Sequence, residues 1–169
     1  MHKYPRSADV HESAVLMFCS ISHFSAYCPG LLAITELLPT VMASVLAFSS
    51  NASMRAHACF LIYNIARTPG CTAAYLIGCR AVERVVHWAP MISVPAIVAD
   101  SDVIVDIDTI AACARLGEDC IKIIVKNKGL DKILQSAKYF GSSSLALAAY
   151  MAACNALLVL ICSGMTGKQ

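Results

Sequence analysis

Apolar residues along the chain fall three and four apart. Ile121, Ile124 and Val125, then Leu130, Ile133 and Leu134, make one stripe of a helix. Lys122, Lys126, Lys128 and Lys132 take other positions, broadly the solvent side. The breaks between such stretches are readable. Cys28-Pro29-Gly30 closes the first long helical region, and Ser49-Ser50-Asn51 separates two helices and offers an N-cap. Thr68-Pro69-Gly70 is a strong stop after Ala66. Pro90 and Pro95 bracket residues 91–94, which cannot be helix interior. Asp100-Ser101-Asp102 reads as a helix start, where acidic charge suits the N-terminal dipole. Gly117 and Gly129 are turn positions, and 141–144 is a last linker with Ser144 as an N-cap. Residues 102–108 are β-branched and partly alternating, a pattern a strand also satisfies.

A repeat decides that ambiguity for helix. The phrase Ala14-Val-Leu-Met-Phe-Cys-Ser20-Ile21 returns as Ala58-Cys-Phe60-Leu-Ile-Tyr-Asn64-Ile65. Weaker copies lie around Cys113 and Asn155. Ser20 to Asn64 is 44 residues, Asn64 to Cys113 is 49 and Cys113 to Asn155 is 42. A second phrase, Leu38 to Met42, matches Val82 to Val86 and Leu130 to Leu134, at spacings of 44 and 48. Two signals drifting together imply a repeating unit of helix, turn, helix, turn, longer helix. Such a period marks a helical solenoid, which buries its core by stacking and offers a long surface to partners.

The segment Gly129 to Leu134 resembles the turn and second helix of an armadillo repeat, where a small residue precedes an apolar pair. Residues 54–66 resemble its third helix, which ends in Asn, an aliphatic residue and Ala. The resemblance spans about residues 10 to 160. It implies an all-α fold, a right-handed armadillo-like α-α superhelix of about three to four repeats. The expected division is an N-terminal tail or partial cap at 1–10, a repeat domain at 11–162 and a C-terminal tail at 163–169. The implied function is a non-enzymatic protein–protein interaction scaffold or complex subunit, holding a partner protein or peptide on the concave face of the third helices. In armadillo peptide binders an aromatic residue lies four before an Asn, and the Asn pairs with an extended peptide backbone. Phe60 and Asn64 hold those places in the second repeat, Met151 and Asn155 in the fourth, and Asn64 equally suits a hydrogen bond within its own repeat that fixes a loop. Leu16 with Ser20, and Thr109 with Cys113, depart from the pattern. No Trp occupies a ladder position, which argues against nuclear-signal binding.

Composition adds a rival. Apolar residues are 58% of the 169 and charged residues 14%, beyond the usual balance of a soluble domain. The excess demands a membrane, a partner or unusually complete burial. Residues 145–162 form an 18-residue run with no formal charge, long enough to span a bilayer. A small membrane-inserted or tail-anchored protein is therefore the alternative. Asn155 in mid-segment, abundant Ala and the repeat of the phrase around Asn64 favour a buried terminal helix. That end is the wrong polarity for a free cap, so a homo-oligomer or larger assembly is expected to cover it.

The remaining chemistry excludes more than it suggests. Nine cysteines without a Cys-x-x-Cys pair argue for free thiols in a reducing compartment, the cytoplasm or the nucleus. The sequon Asn51-Ala52-Ser53 then reads as a turn before a helix. Asp9 and Glu12 and the lack of a cleavage signal argue against a secretory leader. The five histidines have no metal-ligand spacing, and Asp100, Asp102, Asp106 and Asp108 lack the Gly and Glu of a calcium loop. No phosphate loop or nucleophile elbow is present, so neither catalysis nor a cofactor is expected. Lys122, Lys126, Lys128 and Lys132 form a basic surface that suits an acidic partner or simply solubilises the solenoid. No aromatic residues interleave with them and net charge is only +2, which disfavours nucleic acid.

Overall fold

The structure, a computed structural model, describes residues 6–24, 37–89 and 100–139, with 155, 158, 159, 161 and 162 in the C-terminal stretch. The expected breaks at Cys28 to Gly30, at Pro90 and Pro95 and at 141–144 lie outside the described residues, as do Met151 and most of 145–162. Eight helices are described through residue 139, with further helical residues at 155, 158, 159, 161 and 162: α1 (Ala8–Phe24), α2 (Leu38–Ala47), α3 (Ala52–Ala66), α4 (Ala73–Gly78), α5 (Ala81–Trp88), α6 (Asp100–Ala114), α7 (Glu118–Lys126) and α8 (Gly129–Tyr139). No strand occurs among them, and the segment with strand-like alternation is the body of α6. α1 begins at Ala8, so the last residues of the expected tail are helical. No helix among the described residues is long and apolar enough to cross a membrane.

The repeat is written in the backbone. Asn51 caps α3, its Oδ1 accepting from Met54 N at 2.9 Å. Ser7, 44 residues earlier, caps α1 in the same way, its Oγ accepting from Val10 N at 3.5 Å. The first turns also match at that shift: His11 N donates to Ser7 O at 3.2 Å and Arg55 N to Asn51 O at 3.3 Å. Between the next units the shift is 48. Arg80 N donates to Ile77 O at 2.8 Å, and Lys128 N to Val125 O at 3.0 Å. Both turn residues are left-handed, Arg80 at φ 56° and Lys128 at φ 61°. The helix ends agree too, with Arg67 N on Tyr63 O and Arg115 N on Ala111 O, at 3.3 and 3.2 Å. Independent hydrogen bonds that coincide at one shift identify two copies of one supersecondary unit.

Packing follows the same order. α3 lies between α1 and α6 and makes its most extensive contacts with those two helices. Glu12 near the start of α1 accepts from Asn51 Nδ2 at 2.7 Å, and Ser22 near its end accepts from Asn64 Nδ2 at 2.8 Å. Two such contacts, start to start and end to end, make α1 and α3 parallel. On the other side Thr109 Oγ1 of α6 donates to Cys59 O of α3 at 3.2 Å. Met54, Ala58, Leu61 and Ile65 form the fully buried stripe of α3. They join Leu38, Val41 and Val45 of α2 and Val82, Val85 and Val86 of α5 in one core. The buried positions of α2 and α5 themselves recur 44 apart, as Leu38 with Val82 and Val41 with Val85.

Two details differ from the sequence pattern. Val125 and Leu134, expected on the buried stripe, are exposed, while Ile124 and Ile133 are fully buried. The third-helix register also shifts. Helix ends aligned at 48 make Asp108 and Ala112, rather than Thr109 and Cys113, the counterparts of Phe60 and Asn64. One residue turns a helix by about 100°. Thr109 and Cys113 accordingly lie inside, at 0% and 1% exposure.

Candidate interaction face

α1 and α3 leave a shallow groove between their C-terminal halves. One hollow of about 290 Å³ is lined by Ser22, His23, Asn64, Arg67, Thr68 and Pro69. A second, of about 240 Å³, is lined by Cys19, Ser20, His23 and Phe60. The two share His23. The predicted pair Phe60 and Asn64 thus falls in one groove.

The local sequence explains the geometry. Phe60 and Asn64 are one turn apart on α3, so both side chains face α1. Asn64 Nδ2 donates to Ser22 Oγ, and Ser22 Oγ donates to Cys19 O at 2.6 Å. Asn64 O accepts from Thr68 Oγ1 at 2.9 Å, which tightens the end of α3 before Pro69. An amide has two donors and an acceptor. One donor holds α1, leaving Oδ1 and the second Nδ2 proton of Asn64 without a hydrogen-bond partner among the described residues. The Phe60 ring lies 5.8 Å from His23 and 6.1 Å from Tyr63, both tilted. The Arg67 guanidinium sits 5.0 Å from the Tyr63 ring centre and donates to its hydroxyl. Both contacts make Arg67 a held cation at the groove's rim.

Charge continues toward α6. Burial pushes the Asp108 carboxyl above its ordinary value, and Arg115 and then Arg67 pull it back. Asp106 is buried and accepts from the Cys59 thiol, whose pKa is raised well above the usual value, by burial first and Asp106 second. Cys71, Cys79, Cys113 and Cys120 are raised by burial as well, Cys120 to about 11. These thiols stay protonated near neutrality and are poor nucleophiles. Among the described residues no group of three His, Cys, Asp or Glu side chains could hold a metal ion.

The expected basic surface divides. Lys122 is exposed and paired with Glu118 at 3.0 Å and Asp119 at 3.7 Å, which raises its pKa. Lys126 and Lys128 are exposed. Lys132 turns inward instead, its Nζ donating to Val86 O, His87 O and Ala89 O at 2.5, 3.1 and 2.8 Å. It caps the carbonyl end of α5, where a cation is favoured. Burial lowers its pKa and Asp106 opposes that shift. Lys132 therefore leaves the basic surface and joins the joint between two units. Asn155 is exposed on a helical stretch and lines neither hollow. Ser22, His23 and Arg67 carry the groove but were not among the residues predicted from sequence. Arg67 had a signal, its recurrence as Arg115 at the same shift of 48. No family model, curated protein or solved structure matches the chain.

Proposed function

We propose that the chain is a non-enzymatic, armadillo-like scaffold, a right-handed superhelix of about three to four repeats. It holds an extended segment of a partner protein on the face built by α1, α3 and α6. The observation that carries this reading is the Asn64 amide, open on one donor and its acceptor, beside the Phe60 ring in one groove. A peptide bond offers the complementary acceptor and donor, and a ring one turn away buries an apolar side chain of the same segment. The parallel pairing of α1 with α3 supports the stacking of third helices that such a face requires. Buried, protonated thiols suit a reducing cytoplasm.

The test is selection of peptides from a random displayed library on the full chain, followed by binding measurements on variants. Selected peptides are expected to lose about tenfold or more in affinity on Phe60→Ala and Asn64→Ala, and to be indifferent to Lys126→Ala. Peptides that bind all three variants as tightly as the parent chain would overturn the assignment of the face.

A further inference from the structure

The groove between α1 and α3 has two halves of different character. One hollow offers the Phe60 ring with Cys19 and Ser20 of α1. The other is lined by polar side chains apart from Pro69, and none of its described lining residues is acidic. It contains Arg67, and His23 stands between the two hollows.

The hydroxyl protons of the polar hollow are already engaged. Ser22 Oγ donates to Cys19 O and Thr68 Oγ1 donates to Asn64 O. The remaining donors are one Nδ2 proton of Asn64 and the guanidinium of Arg67. A guanidinium carries five N–H donors, and in Arg67 one of them meets the Tyr63 hydroxyl. The same group lies 5.0 Å from the Tyr63 ring centre, and no described carboxylate forms an ion pair with it. Its charge is therefore positioned in advance and open to an occupant. A planar fork of N–H groups matches a carboxylate, whereas a Lys or Arg of an occupant would meet a like charge. The hollow lies at the carbonyl ends of α1 and α3. Such ends expose C=O groups rather than the backbone N–H groups that capture phosphates and chain-terminal carboxylates. The partial negative charge of a carbonyl end opposes any anion, and the full charge of Arg67 exceeds it.

Spacing adds a second constraint. Phe60 and Arg67 are seven residues apart, Arg67 being the C-cap of α3, and that is about 10 Å along the helix axis. An extended segment advances about 3.3 Å per residue, so side chains two apart on one face are about 7 Å apart. The reach of an acidic side chain and of the Arg67 stem covers the rest.

We propose, resting on the reading of this groove as a peptide-binding face, that the partner segment places an apolar side chain on Phe60 and the carboxylate of an internal Glu or Asp, two residues away, on Arg67. Asn64 then pairs with the peptide backbone between them.

The test uses the full chain and peptides selected on it from the random displayed library, then synthesised with an amidated C-terminus. The peptides are expected to share an apolar residue two positions from Glu or Asp. Changing that acid to Gln should weaken binding to the parent chain about fivefold. With Arg67→Gln the acidic and Gln peptides should bind alike, close to the affinity of the Gln peptide for the parent chain, which also shows the variant folded. Arg67→Glu should prefer a Lys version of the peptide to the acidic one. Peptides that need Phe60 and Asn64 but show no acidic preference, or that bind only with a free C-terminus, overturn the carboxylate assignment and leave the face standing. A penalty for Gln that persists in Arg67→Gln puts the carboxylate elsewhere and overturns it too. If no selected peptide depends on Phe60 or Asn64, the face itself fails and the acidic motif with it.

Discussion

Gly129→Ala is expected to destabilise the chain, and the structure specifies both the cause and the cure. Gly129 opens α8 directly after the left-handed Lys128. A Cβ there would lie 2.5 Å from Ile124 Cγ2 and 3.0 Å from Ile124 O. Ile124 is fully buried and its side chain is branched at Cβ, so one rotamer dominates and the methyl group cannot swing away. Overpacking of this kind costs about 1–3 kcal/mol. Replacing Gly by Ala in a helix returns at most about 1 kcal/mol. With the full return the net loss is about 0–2 kcal/mol, a fall in Tm of up to about 8 °C for a chain of this size. The preceding unit contains the rescue. At the shift of 48 Gly129 becomes Ala81 and Ile124 becomes Leu76, both fully buried. Leucine has no methyl branch on Cβ, and there the same turn accepts an alanine. Ile124→Leu alone is a volume-conserving change costing less than about 1.5 kcal/mol. The double variant is expected to recover about 1 kcal/mol relative to the sum of the singles. Urea unfolding of the four proteins measures this directly. A Gly129→Ala more stable than the parent chain, or strictly additive costs, would refute the steric argument.

Other outcomes follow from the same geometry. Lys128→Gly removes a left-handed non-glycine residue and is expected to stabilise by about 0.5–1 kcal/mol, read as a higher Tm. Asn51→Ala loses both the α3 cap and the bond to Glu12, costing about 1–2 kcal/mol in urea unfolding. Hydrogen bonds from Ser53 and then Asn51 hold Glu12 below its ordinary value of 4.5. Glu12 therefore stabilises the fold above that value and ceases to as pH falls through its folded pKa. Glu12→Gln and the parent chain should converge in stability in acid and separate near neutrality. Lys132→Met leaves three carbonyls at the end of α5 without their donor and is expected to cost about 1–3 kcal/mol, against about 0.5 kcal/mol or less for Lys126→Met. Pulsed alkylation with peptide mapping should label the exposed Cys162 in the native chain, and Cys59, Cys113 and Cys120 only after unfolding.

Much of the helical plan was legible because its signals are local. Asn51 as a cap and Thr68-Pro69-Gly70 as a stop depend on side-chain and backbone chemistry within a few residues. The helix at 102–108 was recovered only through the repeat, since β-branched residues alone favour a strand. The register of the third helices was harder. Thr109 to Ala114 are almost all small residues, and small residues match each other at several offsets. The similarity of Asn64 to Cys113 suggested 49, whereas the hydrogen bonds at Arg67 and Arg115 set 48.

The sequence alone determined the helical character of the described residues, the repeat near 44 to 48 residues and the pairing of Phe60 with Asn64 on one side of α3. Each depends on periodicity along a single helix or on a spacing that can be counted. Tertiary structure decided the rest. The partner of the Asn64 amide is Ser22, 42 residues away on a neighbouring helix. Lys132, one of four similar lysines, alone meets the end of α5 and is drawn inward. Met17 and Leu61 occupy one position of the repeat, yet only one is buried. Residue type sets what a side chain can do. Which helix lies beside it sets whether it caps, packs or stays open to a partner.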